Sequence, residues 1–279
     1  MKIEEIMNDE VIVVRENDSI SRARNLMLKN DISHLPVINE DEELVGILSE
    51  TDIASLLKIG GPAWKRRPID NILVKRIMTK NPVTVSPNED IKDAADLMLR
   101  KDISALPVVE DGKILGIVTK TDLVRIYSEK FKGRYKVADL MSKDVVTVNE
   151  NTTLSHVAKL LDKNNISRVV VTAGKEPIGI ITATDILFAK LDKPSTGVAT
   201  EKIFFVRVRP YKKKKRVRLI STLTAGDIMT DDLITINQDF DLSKAAKIMI
   251  KNKIGSLPVI DDDGKLVGIV TKTDIIRAI

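Results

Sequence analysis

The sequence predicts an α/β protein built from four tandem copies of one unit, strand-helix-strand-strand-helix, and three observations predict it. A closing motif recurs as GILSETDIASLL from Gly46, GIVTKTDLVRIY from Gly116, GIITATDILFAK from Gly179 and GIVTKTDIIRAI from Gly268. Upstream of each copy stands ISHLPV from Ile32, ISALPV from Ile103, ISRVVV from Ile166 or IGSLPV from Ile254. Each unit opens on a short lead ending in Met7, Met78, Met141 or Met229. A unit of roughly 55 residues makes a poor core alone, and self-similar units bury their apolar faces on one another, so the units are expected to pair.

Within a unit, the run after the Met is β-branched: VIVV from Val11, PVTV from Pro82, VVTV from Val145 and LITI from Leu233. Such runs read as strand. An amphipathic helix follows, clearest in the second unit, where Ile91, Ala94, Ala95 and Met98 fall at i, i+3, i+4 and i+7. Ser86, Pro87 and Glu89 supply a capping box with proline at the first helical position. The Ile-Ser element, a turn containing Asp, Glu or Gly, a second apolar strand and a closing helix complete the unit. The expected boundaries are residues 1–58, 74–130, 135–190 and 223–279, with an insertion over 191–222.

Composition narrows the class. At 279 residues and 43% apolar the chain can bury two cores, and 3% aromatic means that Ile, Val, Leu and Met fill them. No apolar run approaches the roughly 20 residues of a membrane span, and the start MKIEEIM is unlike a signal peptide, so a cytoplasmic protein is expected. The absence of Cys removes disulfides and thiolate chemistry, and two histidines, His34 and His156, make no ordinary His-based metal centre by themselves. The Cys-free, Lys- and Ile-rich composition is compatible with a thermophilic archaeal source.

The net charge of +5 is local in origin. Eight cations and no acid lie between Arg207 and Arg218, leaving −3 on the rest of the chain. The alternation around YKKKK reads as a basic β-hairpin. A solvated hairpin is the simpler reading; contact with nucleic acid or another polyanion is the sharper one, weakened because Tyr211 is the one aromatic among those cations. The linker from Lys58 to Leu73 carries the single Trp, Trp64, read as an anchor on the core or a partner hot spot.

The closing motif carries the chemistry. Each copy places Gly, two apolars, a hydroxyl, a variable residue, Thr and Asp: Ser49/Thr51/Asp52, Thr119/Thr121/Asp122, Thr182/Thr184/Asp185 and Thr271/Thr273/Asp274. The Thr just before Asp reads as the helix N-cap, and first-turn amides behind it could receive an anion. A carboxylate there could accept two hydrogen bonds from a ribose diol. Hydroxyl, carboxylate and helix N-terminus together match a nucleoside phosphate. The plainer alternative is that Thr-Asp merely caps the helix four times; an upstream hydroxyl that a cap does not require argues for more.

These motifs resemble the CBS domain, over nearly the whole chain apart from the two insertions. Four tandem copies without a fused enzyme resemble the γ subunit of AMP-activated protein kinase and stand-alone archaeal CBS proteins. The resemblance implies two Bateman modules, repeats one with two and three with four, forming a flattened disk with pseudo-symmetric clefts. It implies that Asp122 faces Ile32 and Ser33, Asp52 faces Ile103 and Ser104, Asp274 faces Ile166 and Ser167, and Asp185 faces Ile254. It also implies Thr84, Thr147 and Thr235 as candidates beside the base, where the first repeat has Val13. In the kinase subunit the residue after Ile-Ser often binds phosphate; here His34 and Arg168 are basic, Ala105 and Ser256 are not. Lys120 and Lys272 could add charge, whereas Glu50 in the first repeat would repel phosphate.

Two classes follow. One is a non-enzymatic energy sensor whose ligands are AMP, ADP or ATP, with no obligatory cofactor and a regulated protein as partner; S-adenosylmethionine is the alternative ligand the resemblance allows. The other is a nucleic-acid-associated regulator using the basic hairpin. Two copies of the chain are free to associate. Catalysis is disfavoured, because the sequence has no nucleophile-plus-base constellation, P-loop or HExxH motif.

Overall fold

The computed structural model describes residues 1–53, 72–189 and 223–279; the linker with Trp64 and the expected basic hairpin lie outside them. Two compact units emerge, residues 1–145 with 234–279, and residues 146–233.

The fold is mixed α/β with the expected unit repeated four times. In the first repeat, β1 (Val14–Arg15) runs parallel to β2 (His34–Ile38), which pairs antiparallel with β3 (Leu44–Ser49). Between β1 and β2 lies α1 (Ile20–Asn30), whose buried stripe is Ile20, Ala23 and Met27. The second repeat has α2 (Ile91–Lys101), β5 (Ala105–Glu110), β6 (Lys113–Thr119) and α3 (Lys120–Lys130), and its first strand shrinks to a Val85–Val108 bridge. The third contributes β7 (Thr147–Val148), α5 (Leu154–Asn164), β8 (Arg168–Ala173), β9 (Glu176–Thr182) and α6 (Ala183–Ala189), the fourth β10 (Ile236–Asn237), α7 (Leu242–Lys251), β11 (Ser256–Ile260), β12 (Leu266–Thr271) and α8 (Lys272–Ile276). Each opening run therefore forms strand only at its carboxyl end.

Ile91, Ala94, Ala95 and Met98 are all buried, as the periodicity predicts. The predicted cap is displaced, however. Asp90 is the N-cap and accepts from Lys92 N at 3.0 Å, while Ser86 and Glu89 close the turn before it, Ser86 N donating to Glu89 Oε1 at 2.9 Å. Asp90 satisfies a first-turn amide directly, leaving Ser86 outside the helix.

After each of these helices one residue adopts the left-handed conformation: Asp31, Asp102, Asn165 and Lys253, with φ between 49° and 55°. The amide of the following Ile returns to a carbonyl five residues back, Ile32 to Met27, Ile103 to Met98, Ile166 to Leu161 and Ile254 to Met249, each at 3.0 Å. This is the Schellman reversal, and it sets the direction in which every Ile-Ser element leaves its helix.

The leads are exchanged. β4 (Thr79–Lys80), just after Met78, pairs with β3 of the first repeat, while Asn8, just after Met7, bridges Ile117 of the second. Likewise Ser142, beyond the short helix α4 (Val137–Leu140), bridges Ile269 of the fourth repeat, and Thr230 bridges Ile180 of the third. A Cβ added to Gly46, Gly116, Gly179 or Gly268 would lie 2.5–2.6 Å from the sulfur of Met78, Met7, Met229 or Met141. Each motif glycine is thus the socket for the methionine of an exchanged lead, and that is why both residues recur.

A second association joins repeats by their helices. In the first unit, Leu123, Val124 and Tyr127 of α3 share one core with Leu242, Ala246 and Met249 of α7 and Ile275 and Ile276 of α8. This side-by-side packing of the second and fourth repeats adds to the pairing of chain neighbours, and it decides what converges at the helix N-termini.

Candidate functional site

The closing strands end opposite the Ile-Ser elements. Ser49 lies across the sheet from His34, Thr119 from Ala105, Thr182 from Arg168 and Thr271 from Ser256. The chain then turns into the closing helix, whose first amide donates to the carbonyl of Ser33, Ser104, Ser167 or Gly255: Glu50 at 3.0 Å, Lys120 at 3.0 Å, Ala183 at 2.9 Å and Lys272 at 3.2 Å.

The strand-end hydroxyl, not the Thr before Asp, caps the helix. Thr119 and Thr271 are the N-caps of α3 and α8, with Asp122 and Asp274 completing the capping boxes. Asp52 Oδ2 accepts from Ser49 N at 2.8 Å and Oγ at 2.7 Å; Asp122 accepts from Thr119 at 2.9 and 2.7 Å, Asp185 from Thr182 at 2.7 and 2.8 Å, and Asp274 from Thr271 at 2.8 Å twice. This corrects the sequence reading on two points. The upstream hydroxyl has a structural role of its own, and amides expected to bind an anion already donate within the chain. Such a box satisfies two orphan donors at once and holds the carboxylate in one orientation. In the second and fourth repeats Oδ1 also meets an arginine, Arg125 at 3.3 Å and Arg277 at 3.1 Å.

The thinner part of the sequence reading, its basic residues, is where the first unit converges. His34 Nδ1 lies 2.9 Å from Ser33 Oγ and Nε2 lies 2.8 Å from Ser104 Oγ, so the Ile-Ser elements of the first two repeats meet at this ring. Lys120 Nζ donates to Thr273 Oγ1 at 3.0 Å, and Lys272 Nζ donates to Thr121 Oγ1 at 2.8 Å, a reciprocal crossing of the second and fourth repeats. Both ammonium groups are felt at His34. Burial first, then Lys272 and Lys120, lower its pKa from 6.5 to about 4, so the ring is neutral near pH 7. Glu50, the acid predicted to repel phosphate, has its pKa raised by burial and by Asp31.

The remaining predicted residues are distributed. Thr51 and Thr84 are exposed, and Thr235 is half-buried beside β10. Thr147 is exposed and opens onto a shallow depression shared with Asn149, Thr152 and His156. Arg168 folds onto its neighbour Ser167, with Nη2 at 3.2 Å from Oγ. Ile166, Ser167, Thr184 and Asp185 belong to the second unit, whereas Ile254, Thr273 and Asp274 belong to the first. Among the described residues no His, Cys, Asp and Glu cluster could hold a metal ion, and no helix is long and apolar enough to cross a membrane.

Four such strand-end capping boxes and exchanged leads define a tandem-repeat α/β fold. The family model described as "CBS domain" matches residues 3–59, 74–129, 137–192 and 225–279, and the protein belongs to that family. Protein MJ1225 of Methanocaldococcus jannaschii is 29% identical over 97% of this chain and 95% of its own. The crystal structure of MJ1225, described as that of a proposed archaeal homolog of γ-AMPK, superposes with a TM-score of 0.81 at 26% identity, covering 100% of this chain and 99% of the other. Homoserine O-acetyltransferase of Methanohalobium evestigatum is 37% identical over 128 residues, 46% of this chain but 24% of that enzyme, a match confined to part of the enzyme.

Proposed function

We propose that this protein is a non-enzymatic regulator that binds adenine nucleotides between its CBS repeats and reports the balance of AMP, ADP and ATP to a partner protein. The observation that carries the reading is the meeting of His34, Lys120 and Lys272, contributed by three different repeats, with the hydroxyls of Ser104, Thr121 and Thr273 between them. Ammonium groups and hydroxyls are phosphate ligands. Asp122 is held in its capping box beside Thr121, and in this reading it is the carboxylate that accepts from a ribose diol once Arg125 yields Oδ1. The likeness to MJ1225 over the whole chain supports the same reading.

The centre also bears on the choice among ligands. S-adenosylmethionine is cationic at its sulfonium and ammonium groups, and two lysines repel it where they attract a phosphate chain. To act as a sensor, the protein must bind its ligands with unequal affinity in its two states, since equal affinity shifts no equilibrium. Isothermal titration calorimetry with AMP, ADP, ATP and S-adenosylmethionine tests the reading, repeated on Asp122→Ala and Asp274→Ala after melting curves have verified folding. Nucleotide binding that one variant loses supports it. Heat with S-adenosylmethionine alone, or with none of the four, contradicts it.

A further inference from the structure

We propose that His34 is the specificity-determining residue of the phosphate site: it takes up a proton when a nucleoside di- or triphosphate binds, adding a third positive charge that a monophosphate recruits less fully. The inference rests on the nucleotide reading above and concerns the charge state of the same site.

The geometry sets it up. The ring of His34 is half-buried and bridges Ser33 and Ser104, hydroxyls that can each donate or accept. A serine that accepts from a neutral ring's N–H, or donates to its bare nitrogen, can rotate to accept from an imidazolium, so protonation needs no side chain to leave. The ring is kept neutral by burial and by the ammonium groups of Lys272 and Lys120. Phosphate oxygens drawn to those ammonium groups reverse the potential at the ring, and an opposite charge within about 4–6 Å favours the charged form of a titratable group. The other charged side chains of the surrounding elements do not supply that reversal. Asp31 pairs with Lys253, Asp122 with Arg125 and Asp274 with Arg277, and the charges that act on the ring are those of Lys272 and Lys120. Glu50 has its pKa raised by burial and by Asp31.

The sign of the effect follows by linkage. Where the complex holds more protons than the free protein, affinity rises as pH falls, by up to about tenfold per pH unit for one proton. The gain ends where the free protein is itself protonated, near the value of about 4. AMP, with fewer charges near the lysines, is expected to take up less than one proton, so discrimination in favour of ADP and ATP widens in mild acid.

Two measurements test this on the full chain. Calorimetry with AMP, ADP and ATP at about pH 6 in two buffers of different ionisation enthalpy reads proton uptake directly. His34→Gln, which keeps an amide near the Nε2 position, gives the baseline set by the nucleotide's own phosphate titration. NMR of the ring protons is unusually direct, because the chain has only two histidines and His156 serves as internal reference. The expected result is buffer-dependent heat with ADP and ATP, less with AMP and none above baseline in His34→Gln, together with a ligand-induced shift of the His34 signals to imidazolium positions. Nucleotide binding whose buffer dependence matches the His34→Gln baseline, with unmoved His34 signals, overturns the inference while leaving the nucleotide reading intact. Absence of binding by the unmodified protein overturns both.

Discussion

The first and second repeats share one backbone plan and differ in charge at equivalent points. Both seat the methionine of an exchanged lead on a glycine, Met78 on Gly46 and Met7 on Gly116, and both cap the closing helix with a strand-end hydroxyl. Across the sheet from that hydroxyl, however, the first repeat carries His34 and the second Ala105. At the first helical residue the first has Glu50 and the second Lys120. Positions that hold the backbone are repeated, and positions that set the local potential are not. Copies of one scaffold therefore need not be copies of one site.

The largest expected effect that sharpens this comparison belongs to His34 alone. Its pKa is lowered on folding from 6.5 to about 4, so between these values the unfolded chain binds the proton more readily and stability falls as pH falls. At about 1.4 kcal/mol per tenfold change in proton affinity, the contribution has a ceiling of about 3 kcal/mol. Denaturant unfolding at about pH 7 and pH 4 should show His34→Gln losing less stability than the unmodified protein by up to that amount. Equal losses would mean that the ring titrates normally.

Next in size are the sockets shared by both repeats. Gly116→Ala sets a methyl carbon 2.6 Å from Met7 Sδ and 3.0 Å from the Asn8 carbonyl. Overpacking of this kind costs about 1–3 kcal/mol. Adding Met7→Ala should recover only part of the loss, because the carbonyl remains and the sulfur's contacts go. Gly46→Ala with Met78→Ala should behave alike, and a repeat indifferent to the change would break the equivalence.

A smaller effect separates the two threonines of the second repeat. Thr119→Ala removes the N-cap of α3 and should cost about 1 kcal/mol, whereas Thr121→Ala, which removes an acceptor from Lys272, should cost less than about 0.5 kcal/mol. Thermal unfolding reads both, and the reverse order would restore the sequence-based placing of the cap. Smallest is Tyr127→Phe. The hydroxyl is fully buried and has no hydrogen-bond partner among the described residues, so its removal should leave the midpoint unchanged or raised.

Periodicity and local chemistry made the repeats legible. The stripe at Ile91, Ala94, Ala95 and Met98 follows from helical geometry alone, and the β-branched runs do form strand, though only at their ends. What the sequence concealed depends on distance or on fine register. Nothing local connects Met7 with Gly116, because the contact spans more than a hundred residues and the two residues belong to different copies. The sequence points to Thr121 as the cap and the structure to Thr119, because a residue that ends a strand and caps the next helix satisfies both patterns. Lys120 and Lys272 could be named as cations, but their reciprocal reach to Thr273 and Thr121 arises from helix packing between the second and fourth repeats.

The central claim is that this cationic centre holds the phosphates of an adenine nucleotide. The most direct measurement is calorimetric titration of ATP and S-adenosylmethionine, side by side, into the unmodified protein and into a folded Lys120→Ala/Lys272→Ala variant. The account predicts that ATP binds the unmodified protein and that the double change weakens it by at least about tenfold, about 1.4 kcal/mol. Equal ATP affinity in both proteins, or binding of S-adenosylmethionine in place of ATP, would contradict it.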